Sequence, residues 1–206
     1  MPRCNVLVGR AGSGKSRLMR VLVAPCPRLV IVDTMMEHDN IAQDVDIEEL
    51  FRVTSGPGEF KLAHYPQDRE DFDWVCEQVA SLPNTSLAID EYSFWYPTAQ
   101  MQPNKGVLAI VRCGRKLKQN LFVITQSPGA ITKQVTGQSA LWVFRMEETN
   151  DIKYVLDRTS GSINPCDLGP LEESNGLVIR THIARYYEGK REDFDFNLST
   201  LELRPF

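Results

Sequence analysis

The sequence predicts an α/β fold, a mainly parallel central sheet flanked by helices with an antiparallel β-hairpin extension at the C-terminal end. Three observations carry this prediction. Short apolar runs alternate with longer amphipathic ones, the pattern of strand–helix–strand units. The first strand-to-helix junction is glycine-rich, GRAGSGKS at 9–16. Past Gly161 the chain changes style and reads as strands.

Taken in order, residues 5–8 form a short apolar strand, and 15–23 have the length and residue types of a helix stopped by Pro25. Residues 29–32 form a second strand, ending at Asp33. A short helix is predicted at 47–51, a turn at Gly56-Pro57-Gly58 and a weaker strand at 60–63. Over 68–80, Phe72, Val75, Cys76 and Val79 recur at helical spacing. Pro83-Asn84 mark a turn, and 87–89 form a strand that runs into Asp90-Glu91. A helix is predicted over 106–118, strands over 121–125 and 141–144, and a helix over 150–157. Residues 176–187 and 194–196 read as the hairpin, with EGKRED as its solvated loop. The expectation is one domain across 1–206, with a core of about 4–160 and an extension of about 161–206.

Composition narrows the function classes. The chain has 206 residues, enough for one self-sufficient core. No apolar run approaches the roughly 20 residues of a membrane span, and the N-terminus does not read as a signal peptide. Five scattered cysteines without a CxxC pair, and three histidines apart from them, predict no zinc site and no disulfide framework. With a net charge of −4, contact with nucleic acid must be local, made by a few loops and multiplied by self-association.

Residues 9–16 match G-x-x-x-x-G-K-[ST] in full, between a strand and a helix as that motif requires. Glycines let successive N–H groups face one concavity, where they and the helix N-terminus bind phosphate. The predicted nucleotide-binding set is Gly9, Arg10, Ala11, Gly12, Ser13, Gly14, Lys15, Ser16 and Arg17. Lys15 reaches the terminal phosphates, and the Ser16 hydroxyl ligates Mg²⁺. The expected ligand is therefore Mg²⁺ with ATP.

Strand 87–89 ends in two adjacent acids, costly to bury without partners. Beside a magnesium nucleotide they have work: Asp90 holds the metal's shell and Glu91 polarises the attacking water. Strand 121–125 ends at Gln126, whose uncharged amide suits a position facing both γ-phosphate and water. Upstream stands VRCGRKLK at 111–118, four cations in an acidic chain. Arg115, then Arg112, are the candidates for an arginine aimed at the γ-phosphate, in the same subunit or across an interface. Lys116 and Lys118 are candidates for contact with a DNA backbone, and Arg145 is a weaker arginine candidate. Asp33 is read as a structural or supporting group, and the aromatic run at 92–96 chiefly as core.

The set GRAGSGKS, LAIDEY, RCGRK and FVITQSP resembles the HerA/FtsK-like branch of P-loop ATPases over roughly residues 4–146. Tyr92 after Asp-Glu departs from that family's usual small residue. The resemblance implies a RecA-like P-loop NTPase core, with the Gln126 strand between the strands leading to Lys15 and to Asp90. It also implies a homo-oligomeric ring, commonly a hexamer, with double-stranded DNA in its channel. At this size the chain is similar to the genome-packaging ATPases of membrane-containing icosahedral viruses. That implies ATP-driven packaging into a preformed capsid, in the host cytoplasm or at a virion vertex, with a capsid-vertex or membrane protein as a further partner. The alternatives are a phage assembly or export ATPase like the zonular-occludens-toxin group, a small-molecule P-loop kinase, and a nucleotide-dependent switch without turnover.

Overall fold

The computed structural model describes residues 3–38, 40–98, 102–175 and 177–206. Its strands are β1 (Cys4–Val8), β2 (Arg28–Asp33), β3 (Gln43–Asp44), β4 (Phe60–His64), β5 (Ser86–Asp90), β6 (Leu121–Thr125), β7 (Ala140–Val143), β8 (Pro170–Ser174), β9 (Leu177–Tyr187), β10 (Lys190–Asn197) and β11 (Glu202–Pro205). Its helices are α1 (Lys15–Val23), α2 (Ile47–Thr54), α3 (Arg69–Ser81), α4 (Tyr92–Trp95), α5 (Lys105–Cys113), α6 (Lys133–Thr136) and α7 (Thr149–Arg158).

All the strands join one sheet, in the order β11-β10-β9-β7-β1-β6-β5-β2-β4-β3, with β8 paired to β9. Pairings from β7 to β3 are parallel. Those involving β8 to β11 are antiparallel. The central strands are buried along their whole length, and mostly apolar, because both faces are covered. On one face, Leu7, Ile31, Ala88 and Ile124 pack against Leu18, Met19 and Leu22 of α1. On the other, Val6, Val30, Ile89 and Val123 pack against Phe72 and Val75 of α3 and Ile110 of α5. Each fully buried side chain of this size contributes about 1.5–3 kcal/mol.

Several predicted boundaries are corrected. Helix α5 ends at Cys113, not at 118, because Gly114 caps it and the chain then turns, with Lys118 left-handed at φ 54°. Helix α2 continues to Thr54, past the predicted 51. The EGKRED segment is not a loop. Glu188 (φ 50°) and Gly189 (φ 79°) make a two-residue turn, the geometry that matches strand twist, and Lys190–Asn197 is strand throughout. Its charges are paired across the hairpin, Arg185 with Glu192 and Arg180 with Asp195. Strands β3, β8 and β11 were not expected. Gly176, where the predicted hairpin began, lies outside the described residues.

The extension is continuous with the core sheet. Ile183, Phe196 and Leu198 share the apolar cluster that holds α1. The aromatic run after Glu91 packs inward: Trp95 stacks on Phe72 at 5.3 Å and Tyr92 on Tyr96 at 5.3 Å, while Phe94 stays exposed.

Candidate nucleotide site

Parallel strands place three of their C-terminal tips side by side. β6 lies between β1 and β5, so Gln126 is set between the loop after Val8 and the acids after Ile89. The three tips and the start of α1 enclose a cleft of about 410 Å³. Its lining includes Gly12, Lys15, Ser16, Asp90, Glu91 and Gln126.

The loop from Gly9 to Ser16 is shaped for an anion. Gly14 begins α1 with φ 99°, in the left-handed region, and offers no side-chain cap. The first-turn N–H groups are therefore open to a ligand. A Cβ on Gly14 would also lie 2.5 Å from Leu198. The Ser13 hydroxyl is buried without a hydrogen-bond partner, which leaves it able to donate to a phosphate oxygen. Lys15 is buried, and its Nζ donates to the carbonyls of Gly9 (2.9 Å) and Arg10 (2.7 Å). Burial pushes its pKa down to about 8, while Glu91 and Asp90 act in the opposite direction. Arg17, exposed at the rim, donates to the Leu198 carbonyl and ties the extension to α1. Arg10 forms an ion pair with Glu147 at 2.5 Å.

Asp90 is buried beside Asp33, its register partner on β2. Asp33 accepts the main-chain N–H groups of Glu37 (3.0 Å) and His38 (2.8 Å). Glu91 has a left-handed backbone, φ 58°. One carboxylate oxygen, Oε1, takes three donors: the Ser93 hydroxyl, the Thr125 hydroxyl at 3.4 Å and the Gln126 main-chain N–H at 3.1 Å. The carboxylate is thereby joined to the β6 tip, and Oε2 is left without these contacts. An oxygen set of Ser16 hydroxyl and Asp90 carboxylate suits Mg²⁺, a hard cation that keeps much of its own water.

The cation segment is placed elsewhere. Arg115, Lys116 and Lys118 lie in the turn between α5 and β6, at the N-terminal end of the strands. There Leu117 accepts from Asn84, and Arg3, just before β1, donates to Ile110 and Val111. That edge is about 15 Å from Gln126, the length of the intervening strand. Arg112 lies on the last turn of α5 and donates to Gln134 at 2.9 Å. The fold therefore does not bring Arg112 or Arg115 to the cleft of their own chain. Arg145 is nearer: its carbonyl accepts the Arg10 N–H at 3.1 Å, but its side chain is drawn to Glu147 and Gly169 and does not line the cleft.

Sequence reasoning missed His38, Ser93, Thr125 and Leu198 as neighbours of the site. Ser93 stands two residues from Glu91, and Thr125 one before Gln126, so local spacing carried a signal for both. Nothing local marks His38, whose partner Asp90 is 52 residues away.

No protein-family model and no curated protein matches the chain. Solved structures do. The genome-packaging NTPase B204 of Sulfolobus turreted icosahedral virus 2, in complex with ATP-gammaS, aligns with 98% of this chain and 95% of its own, at TM-score 0.67 and 18% identity. B204 of Sulfolobus turreted icosahedral virus, a DNA-packaging ATPase, aligns over 99% and 96% at TM-score 0.60 and 14% identity. The cytoplasmic domain of the type VII secretion ATPase EccC of Thermomonospora curvata matches 92% of this chain but 23% of its own length, at TM-score 0.52 and 14% identity. From end to end, the chain has the fold of these viral packaging NTPases.

Proposed function

We propose that the chain is an ATPase that assembles as a ring, commonly a hexamer, and drives double-stranded DNA into a preformed capsid. The single observation that carries the hydrolytic part is the Glu91 carboxylate, fixed through one oxygen to the Gln126 N–H at the mouth of a phosphate-loop cleft. A water-activating acid in that place is needed for hydrolysis and is not needed to pass phosphate to a bound hydroxyl. The packaging part is supported by likeness of fold to two packaging NTPases over nearly the whole of each chain.

In this reading the loop N–H groups and the Ser13 hydroxyl hold the phosphates. Lys15 leaves the loop carbonyls for the terminal phosphates, whose charge favours its ammonium form. Ser16 and, through water, Asp90 would hold Mg²⁺, which would supply charge neutralisation at the phosphates. Glu91 accepts the proton of the attacking water, and the Gln126 amide donates to a γ-phosphate oxygen while accepting from that water. Arg115, or Arg112, completes the site of a neighbouring copy, and Lys116 and Lys118 serve the DNA backbone. Such a motor works in the host cytoplasm or at a virion vertex, against a capsid-vertex or membrane protein. Among the described residues no helix is long and apolar enough to cross a membrane.

The test is ATP turnover with and without double-stranded DNA, in wild type and Glu91→Gln. Stimulation by DNA is expected, with turnover in Glu91→Gln lower by about 10²–10⁴-fold and nucleotide binding kept. Turnover indifferent to DNA at every salt concentration would leave an ATPase of another kind. The likeness to a secretion ATPase then favours an export motor.

A further inference from the structure

His38 is completely buried, and its Nε2 lies 2.8 Å from Oδ2 of Asp90. An ionised carboxylate only accepts hydrogen bonds, so the ring nitrogen facing it carries the proton. The other nitrogen, Nδ1, is buried without a partner. In the neutral Nε2–H tautomer Nδ1 is a bare acceptor, whereas any form with a proton there would bury an orphan donor. The contact thus reads as imidazole donating to carboxylate.

The route that brings His38 there is short and firmly held. The chain leaves β2 at Asp33, whose two oxygens take the N–H groups of Glu37 and His38. Thr34 accepts from the Trp95 indole at 3.0 Å, and the His38 carbonyl takes the N–H groups of Ile41 and Ala42. Residues 34–38 therefore form a hook that leaves the sheet and returns its imidazole to Asp90. The same hook carries Met35 and Glu37 into the lining of the cleft. One hydrogen bond thus links the side of the cleft formed by this hook to the acid expected to hold the metal's shell.

We infer that His38 is a positioning residue: it fixes the carboxylate of Asp90 in the orientation the magnesium nucleotide needs. This deepens the nucleotide-site reading and rests on it. Asp33, His38 and Asp90 offer ligand atoms within 4.8 Å of one another, close enough to suggest an ion among them. Yet Nε2 is engaged by Asp90, and both Asp33 oxygens by main-chain donors. The three hold one another. Outer partners of this kind change metal affinity by about 10–100-fold when removed.

The experiment has two readouts. In nucleotide-free protein, long-range proton–nitrogen correlation identifies the His38 tautomer, and protonated Nε2 with bare Nδ1 is expected. A proton on Nδ1 alone would overturn the inference whatever the protein does with nucleotide. Second, binding of a fluorescent ATP analogue is titrated with Mg²⁺, the affinity without Mg²⁺ serving as baseline. His38→Leu is expected to raise the Mg²⁺ concentration for half-maximal tightening about 10–100-fold. His38→Gln, which keeps a side-chain N–H of similar reach, is expected to stay within about threefold of wild type. A folded His38→Leu with unaltered Mg²⁺ dependence overturns the inference. If that variant does not fold, His38→Asn, too short to reach Asp90, takes its place against His38→Gln, and equal Mg²⁺ dependence in the two overturns it. Wild type that does not bind the analogue at all contradicts the nucleotide site itself, a different failure read from a different sample.

Discussion

The ammonium of Lys15 is held by two loop carbonyls in a buried position, and its pKa is pushed down to about 8 by that burial. An unfolded lysine titrates near 10.4. Between about pH 8 and 10 the unfolded chain therefore binds more protons at this position than the folded one, and stability from this group rises with pH. The gain is expected to be of order 2–3 kcal/mol across that window. It is read as the difference in urea midpoint between wild type and Lys15→Met, because Cys4, Cys76, Tyr92 and Tyr96 are raised and oppose it at the upper end. A difference that does not change with pH would mean the ammonium is better solvated than its contacts imply. At Glu91 the left-handed backbone costs about 1–2 kcal/mol in a residue with a Cβ. Ser93, Thr125 and the Gln126 N–H all act on one oxygen of that side chain. Ser93→Ala is expected to lower kcat roughly tenfold with little effect on KM, because the base loses orientation and not the nucleotide its binding. A raised KM with kcat unchanged would assign Ser93 to binding.

Helices α3 and α5 approach so closely that a Cβ on Gly106 would collide with the backbone at Cys76. Gly106→Ala is expected to destabilise the fold by about 1–3 kcal/mol in chemical denaturation, with the nucleotide cleft, built around α1 on the opposite face of the sheet, unaffected when folded. A neutral effect would show that the two helices separate freely. Elements of this core were legible in the sequence where the signal is local. Strands β1, β5 and β6 are short, mostly apolar runs that lead into Gly9, Asp90 and Gln126, and α3 repeats its apolar positions every three to four residues. What was not legible depends on partners distant in the chain. β10 is charged because Arg180 and Arg185 on β9 neutralise it, so apolarity could not mark it as a strand. β8 is exposed along its whole length. Helix α5 stops at Gly114, where a Cβ would lie 2.5 Å from the Arg3 guanidinium, a contact no pattern within 106–118 reveals. The phosphate loop, Asp90 and Glu91 were marked by motif, and their meeting with Gln126 followed from the strand order that the family resemblance implied. The distance of Arg112 and Arg115 from them follows from topology, since a segment that precedes β6 sits at the opposite end of the strands from one that follows it.

At the scale of the whole molecule, the extension shares a core with α1 and touches the phosphate loop through Leu198. A chain ended at Gly169 would expose Trp142 and the α1 cluster. It is expected to lose cooperative thermal unfolding and nucleotide binding together, and a stable truncated binder would show the extension to be separable. Arg115 sets a test of assembly. Arg115→Ala and Glu91→Gln, each of low activity alone, are expected to regain part of the wild-type turnover when mixed, because a subunit with its own Glu91 can border an intact Arg115. Mixtures no better than the average of their parts would refute a role between subunits. The separation of that basic turn from the cleft has a further consequence for symmetry. If the turn of one copy serves the phosphates of the next, the contact joins two different patches, so a two-fold pair cannot satisfy it. Only head-to-tail propagation can, and an open array would always have one end site without its arginine. Closing the circle would bring every copy to full competence at once, so turnover should depend steeply on protein concentration, with a threshold where the last junction forms.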